Sequence, residues 1–166
     1  GVSQAQVEFE KSLPYDYFGS LESTKNFLFT MAPLKKTFDQ SELVIMSFEG
    51  EELNRLQFQN RTRPTVTKCG MMGESTVFLM STDDFIVIDA DGKETSRHTL
   101  TFEEKIKGSK TIISDNGITV IQEVKIPKVG AALRVTQFST TFEELWKVGL
   151  VFLSPRDRTA SWDPKK

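Results

Sequence analysis

The chain has 166 residues, of which 38% are hydrophobic and 27% are charged, and its formal net charge is −2. This composition is typical of a globular domain and too apolar for a disordered chain, and the length allows one domain with its own core. The slightly acidic balance excludes a global positive field that would attract nucleic acid or an anionic membrane. The single cysteine cannot form an internal disulfide, so a reducing compartment such as the cytoplasm is favoured.

The N-terminal part of the chain gives few clear signals. Val7 and Phe9 alternate with glutamates and predict a short strand, and Ser20 is placed to cap a short helix over residues 21–26. Residues 27–31 are compatible with either a helix or a buried strand. The first residues are polar and carry no signal peptide, and no apolar run approaches the roughly 18 residues that a membrane span needs.

From residue 42 onwards, short segments with alternating or continuous apolar residues follow one another closely. Such segments, separated by Gly- and Asp-containing turns, predict β-strands. The predicted strands are 43–48, 53–59, 63–68, 76–80, 85–88, 94–105, 110–114, 117–126 and 131–138. The polar segment 63–68 contains Pro64 and is expected at an edge, and residues 69–73 are expected to form a turn.

Residues 85–138 carry the strongest pattern. Val120 and Val124 lie on one face of a period-two segment, and Leu133 and Val135 are expected to share the same buried side. The turns at 89–92 and 114–117 contain Asp-Gly and Asn-Gly, which tolerate the backbone geometry of tight hairpins. The pattern predicts an antiparallel meander, without an internal repeat of fixed period.

After residue 138 the period changes to that of a helix. Thr141 and Glu144 have the spacing of a capping box, and Phe142, Leu145 and Trp146 would form an apolar face. The sequence therefore predicts a helix over residues 140–148, followed by a final strand at 150–153.

These elements predict an all-β, mainly antiparallel domain, a β-barrel or β-sandwich of about 9–10 strands with a short N-terminal helix and a late C-terminal helix. The order of a late helix and one more strand matches calycin barrels such as the lipocalins, although no Gly-x-Trp motif occurs near the start. Residues 1–153 are predicted to form the domain, and residues 154–166 a mobile C-terminal tail.

No recognisable catalytic motif is present, so an enzyme is not favoured and no catalytic residue is predicted. His98 is the only histidine, and Cys69 lies beside glycines rather than next to a base. With one histidine and one cysteine the usual zinc sites are excluded, and no phosphate-binding loop or other cofactor motif occurs. Four aspartates do not fit a calcium loop and are interpreted as turn residues: Asp83, Asp84, Asp89 and Asp91.

The apolar inventory, with 13 Phe and 5 Met, leaves two functions open. The first is a non-enzymatic β-barrel that binds a small hydrophobic ligand or lipid, since such pockets are mostly apolar. Its candidate ligand-binding residues are Phe58, Met80, His98, Leu100, Phe102 and Trp146. The alternative is a protein-interaction or structural β-domain of a larger assembly or a processed polyprotein. Partners are therefore a hydrophobic ligand or a protein, including a second copy of the chain, and not nucleic acid.

Overall fold

A computed structural model of the chain describes residues 21–33, 40–59, 64–100, 107–128 and 130–151, and every regular element in these residues is a β-strand. The strands form three four-stranded antiparallel sheets, which we call sheets I, II and III. Sheet I contains β1 (Glu22–Ser23), β2 (Leu28–Pro33), β3 (Gln40–Met46) and β4 (Glu52–Gln59). Sheet II contains β5 (Val66–Met72), β6 (Ser75–Met80), β7 (Asp84–Ile88) and β8 (Glu94–Thr99). Sheet III contains β9 (Lys107–Ser114), β10 (Gly117–Ile126), β11 (Gly130–Phe138) and β12 (Glu144–Val151).

The all-β, antiparallel class is confirmed, whereas a closed barrel is not formed by the described strands. Within each sheet the strands pair in chain order as a simple meander. The predicted meander across 85–138 is therefore divided between two sheets, because β7 and β8 belong to sheet II whereas β9, β10 and β11 belong to sheet III. The described residues contain twelve strands, more than the sequence indicated.

The short helix predicted at residues 21–26 is not formed. Residues Glu22–Ser23 form a strand, and a turn follows in which the Thr24 hydroxyl accepts hydrogen bonds from the Asn26 and Phe27 amides at 3.1 and 3.3 Å. A threonine that binds nearby amides in this way stabilises a turn in competition with a helix.

The helix predicted at residues 140–148 is also wrong, because Glu144–Val151 is strand β12. The Ser139 hydroxyl, rather than Thr141, accepts the amides of Thr141 and Glu143, at 3.2 and 3.1 Å. Phe142 has φ of 65°, which ends any right-handed helical turn at that residue. The calycin order of elements, which depended on this helix, is therefore not found.

The connection between the third and fourth strands has the same structure in all three sheets. The amide of its first residue donates to the carbonyl of its fifth at 2.7–2.8 Å, and the amide of its fourth donates to the carbonyl of its first at 3.0–3.1 Å. The side-chain oxygen of the first residue also accepts the amides of the third and fifth residues, at 2.9–3.3 Å. The three turns begin at Ser47, Asp89 and Ser139.

The backbone conformation within these turns and the residues directly after them also match. The fourth turn residue has positive φ in each case: Gly50 (85°), Gly92 (91°) and Phe142 (65°). The first residue of each fourth strand is a glutamate paired with a basic residue three positions later, at 2.6, 2.8 and 3.4 Å: Glu52–Arg55, Glu94–Arg97 and Glu144–Lys147. A break in register lies beside each turn. Sheets I, II and III are therefore three copies of one structural unit.

Unequal strand lengths prevent these three units from having a fixed period in the sequence. Strands β10 and β11 have 10 and 9 residues, whereas the equivalent β6 and β7 have 6 and 5. The turn at Ser139 consequently lies farther from the one at Asp89 than that turn lies from Ser47.

The three sheets pack in series, with sheet II in the middle. In sheets I and II we call the face that points towards the next sheet the front face, and the opposite one the back face. In sheet III the back face is the one that packs on sheet II, and the front face is the opposite one, which carries Val135 and Val148. The front face of sheet I packs on the back face of sheet II through Phe29, Leu43, Ile45, Phe78, Ile86 and Ile88. The front face of sheet II packs on the back face of sheet III through Val77, Phe85, Val87, Ile118, Val120 and Phe138. Burial of these apolar side chains between the sheets stabilises the folded state.

Predictions about the core of sheet III are confirmed in part. Val120 and Val124 are buried on its back face, as expected. Leu133 and Val135 are only half-buried and lie on its front face, because Val135 pairs with Ile121 and Leu133 with Glu123. Directly opposed residues point to the same side of a sheet, so this register separates them from Val120 and Val124.

The turn chemistry leads to a first prediction. Asp89→Ala should lower the free energy of unfolding by about 1–2 kcal/mol, because two backbone amides lose their side-chain acceptor. Urea unfolding measures the change, with the exposed neighbour Asp91→Ala as the control. Equal unfolding midpoints for both variants would contradict the role assigned to Asp89.

Candidate functional site

The front face of sheet III carries several exposed apolar side chains on adjacent positions. On the edge strand β12 it carries Trp146, Val148 and Leu150, which are 48%, 45% and 49% exposed. On β11 and β10 the half-buried Val135 and Ile121 continue the same surface. Contiguous apolar surface of this kind on a folded protein marks a place where another molecule binds or where aggregation begins.

The same positions are covered in the other two sheets. In each sheet, the residue four positions before the first turn residue pairs with the residue nine positions after it. These equivalent pairs are Leu43 with Leu56, Phe85 with His98, and Val135 with Val148. In sheet I, Leu56 and Phe58 are only 9% and 7% exposed because sheet II covers them. Their counterparts in sheet III, Val148 and Leu150, have no such cover among the described residues.

Polar groups within this face have partners of their own. The Gln137 side chain accepts a hydrogen bond from the Thr119 hydroxyl, and its amide donates to the carbonyl of Phe138 at 3.0 Å. Exposed charged residues lie towards its rim, with Lys110 on β9 and Glu123 on β10. An apolar centre with polar groups at the border is the usual anatomy of a protein interface.

The ligand-binding residues predicted from the sequence are distributed over three places. Phe58 and Met80 are buried between sheets I and II, and Leu100 packs in the cluster between sheets II and III. Trp146 lies on the front face of sheet III, and Phe102 lies outside the described residues. The structure thus brings Phe58 and Met80 together only within a packed core, and ligand binding by these residues stays a prediction.

His98 has a packing role in the contact between sheets II and III. Its ring stacks on Phe142 at a centroid distance of 4.1 Å and an interplanar angle of 10°. Phe142 also packs against Phe85 at 5.3 Å. The front face of sheet II therefore uses the histidine as an aromatic contact with the turn that precedes β12.

Cys69 lies in strand β5 rather than in the turn that the sequence predicted. Burial raises the pKa of its thiol to about 12, and the negative charge of Glu22 adds to this effect. The thiol is therefore not activated, although the cationic Lys68 is its neighbour in the sequence.

Because the thiolate is the reactive form, Cys69 in the folded chain should react with a disulfide reagent at pH 8 more slowly than in the urea-unfolded chain, by a factor of about 100 or more. The rate of thionitrobenzoate release measures the difference. Similar rates in the folded and unfolded chain would contradict this environment.

A cleft of about 460 Å³ lies between the first strands of sheets II and III. Most of its lining residues are polar or charged types, including Lys68, Ser81, Asp83 and Lys110, and Leu79 and Met80 also line it. Nearby, Gly70 allows the two strands to approach, because a β-carbon at this position would lie 2.8 Å from that of Ile113. The charged side chains in this lining differ from the mainly apolar lining that is typical of pockets for hydrophobic ligands.

Comparison with known proteins gives no relative for this chain: no family model matches it, and neither does any of the curated proteins searched.

The described residues contain no group of three or more His, Cys, Asp or Glu side chains that could hold a metal ion. Asp89 is a turn residue, as the sequence indicated. In the part of the chain that the structure describes, no helix is long and apolar enough to cross a membrane.

Proposed function

We propose that the chain is a protein-interaction or structural β-domain of a larger assembly and that it binds a protein through the front face of sheet III. One observation carries this proposal: the face is apolar and exposed, whereas the equivalent faces of sheets I and II are each covered by another sheet. Burying Trp146, Val148 and Leu150 against a partner would contribute several kcal/mol from apolar area alone, at about 25 cal/mol per Å².

The experiment is site-specific photo-crosslinking from strand β12 of the full chain in an extract of the source cells. A photoreactive amino acid at position 148 should capture a discrete protein, which mass spectrometry then identifies. The matched control is position 147, which is similarly exposed but points to the opposite side of the same strand. In the purified pair, Val148→Lys should weaken binding by at least about tenfold, as expected for a charge buried in an interface.

Two results would contradict the proposal. One is identical crosslinking from positions 147 and 148, because the reaction would then not depend on the face. The other is binding of the captured protein that Val148→Lys leaves unchanged.

The other function expected from the sequence, binding of a small hydrophobic ligand, has less support. Phe58 and Met80 pack within one core cluster and Leu100 within another, and the described cleft is lined by charged as well as apolar side chains. Native mass spectrometry of the purified chain tests it directly, since a co-purified ligand adds a defined mass.

A further inference from the structure

We infer that the partner on the front face of sheet III is a further four-stranded antiparallel sheet of the same type as sheets I, II and III, docked through its back face. This inference rests on the proposed function and specifies its partner. The two interfaces that the chain already contains supply the argument.

Both existing interfaces have the same polarity. Sheet I uses its front face to contact the back face of sheet II, and sheet II uses its front face to contact the back face of sheet III. Because the three sheets share turns, register breaks and ion pairs, this is one packing mode used twice. A third use would place the back face of a fourth sheet on Val135, Val148 and Leu150.

A second copy of this chain does not present a suitable back face. The only back face that is not already used between sheets I, II and III is that of sheet I, and its residues Ala32, Val44 and Met46 are 0%, 0% and 4% exposed. Head-to-tail stacking of two copies would therefore require this buried surface to open first. A sheet from elsewhere, with a free back face, meets the requirement without such a change.

Four-stranded meanders also pack face to face in β-propellers, where about 4–8 such sheets are arranged radially and each sheet is covered on both faces by its neighbours. In repeat architectures, a terminal unit with an apolar outer face needs a neighbour or a cap. The exposed side chains of β12 show that sheet III is not capped on this side by any described residue.

The chain offers the material for a direct test. Val151 occupies the same register position in sheet III as Gln59 in sheet I, since Val151 pairs with Ala132 and Gln59 with Gln40. Repeating residues 60–100 directly after Val151 therefore adds a copy of sheet II with the connection that natively joins sheets I and II. Residues 152–166 then follow the copy.

Thiol labelling of Val148→Cys reports whether the added sheet docks. Labelling should be roughly tenfold slower in the extended chain than in the original chain, because the equivalent Leu56 is buried under sheet II. Lys147→Cys, on the opposite side of β12, should label equally fast in both. In a matched control, Ile86→Asp in the added copy alone puts a carboxylate on its docking face and should restore fast labelling of position 148.

Leu56→Cys in the extended chain shows whether the original sheets stay folded, because it should remain protected. If they do not, a second extension that repeats residues 102–151 after Val151 adds a copy of sheet III by its own native connection. The inference would be overturned if the extended chain folds but position 148 is labelled as fast as in the original chain. It would also be overturned if neither extension gives a folded chain in which position 148 is protected. If photo-crosslinking from position 148 still identifies a specific partner in that case, the interaction function stands and the partner is of another kind.

Discussion

Gly117→Ala is expected to destabilise the domain by about 3 kcal/mol or more, because a β-carbon has no room at this hairpin. Gly117 has φ of 118°, and a β-carbon built on it would lie 2.1 Å from the carbonyl oxygen of Phe138. That oxygen belongs to the backbone of the paired strand β11 and cannot rotate away. The substitution should therefore separate β10 from β11 at the end of sheet III that carries the Ser139 turn.

Gly130→Ala is the matched control, because Gly130 has a similar φ of 105° but no atom lies within 4 Å of the position that the added methyl group would occupy. It should cost only the backbone strain, about 1–2 kcal/mol. Chemical denaturation of both variants measures the difference. Equal losses would mean that the close approach to Phe138 does not exist.

Phe78→Ala should have the other large effect, a loss of about 3–5 kcal/mol in the free energy of unfolding. The Phe78 side chain is fully buried on the back face of sheet II. Its ring centroid lies 4.7 Å from that of Phe29 in β2 and 6.3 Å from that of Phe27, which directly precedes β2. Its removal leaves a cavity at the centre of the interface between the two sheets.

Phe48→Ala is the control for Phe78→Ala, because Phe48 lies in the turn after β3 and is 51% exposed. Its replacement should change stability by less than about 0.5 kcal/mol, the usual range for surface positions. Thermal or urea unfolding of the two variants separates them. A small effect of Phe78→Ala would contradict the packing of sheet I on sheet II.

The strands were predictable from the sequence wherever period two was unambiguous. Residues 117–126 and 131–138 form β10 and β11 with nearly the expected limits, and the turn at 89–92 has the expected chemistry. What period two could not specify was which strands share a sheet, because alternation is the same in a barrel, a sandwich or a stack of sheets.

The error at residues 140–148 has a specific cause. Thr141 and Glu144 have the spacing of a capping box, but Trp146, Val148 and Leu150 have the spacing of a strand, and the two patterns overlap. The decisive element is the turn at Ser139, which has a positive φ at a phenylalanine instead of the glycine found at the equivalent positions 50 and 92. Without that glycine, the sequence does not reveal that the turn is the third copy of one motif.

For the same reason, Trp146 is the one residue of the exposed stripe on β12 that the sequence analysis marks as a binding residue. A helix over residues 140–148 groups Trp146 with Phe142 and Leu145, and not with Val148 and Leu150. The signal that could have identified the face is the recurrence of Glu-x-x-Arg or Glu-x-x-Lys directly after each turn. When the three units are aligned on this feature, Val148 and Leu150 fall at the same positions as the core residues Leu56 and Phe58.

Iodide quenching of Trp146 in the full chain tests most directly whether the front face of sheet III is open. The measurement uses the Trp162→Phe variant, so that all tryptophan fluorescence comes from strand β12. With 48% of its surface exposed, Trp146 should be quenched readily and should emit at the long wavelengths of a solvated indole. Blue-shifted emission that iodide does not quench would mean that the face is already covered, and would contradict its assignment as an open binding surface.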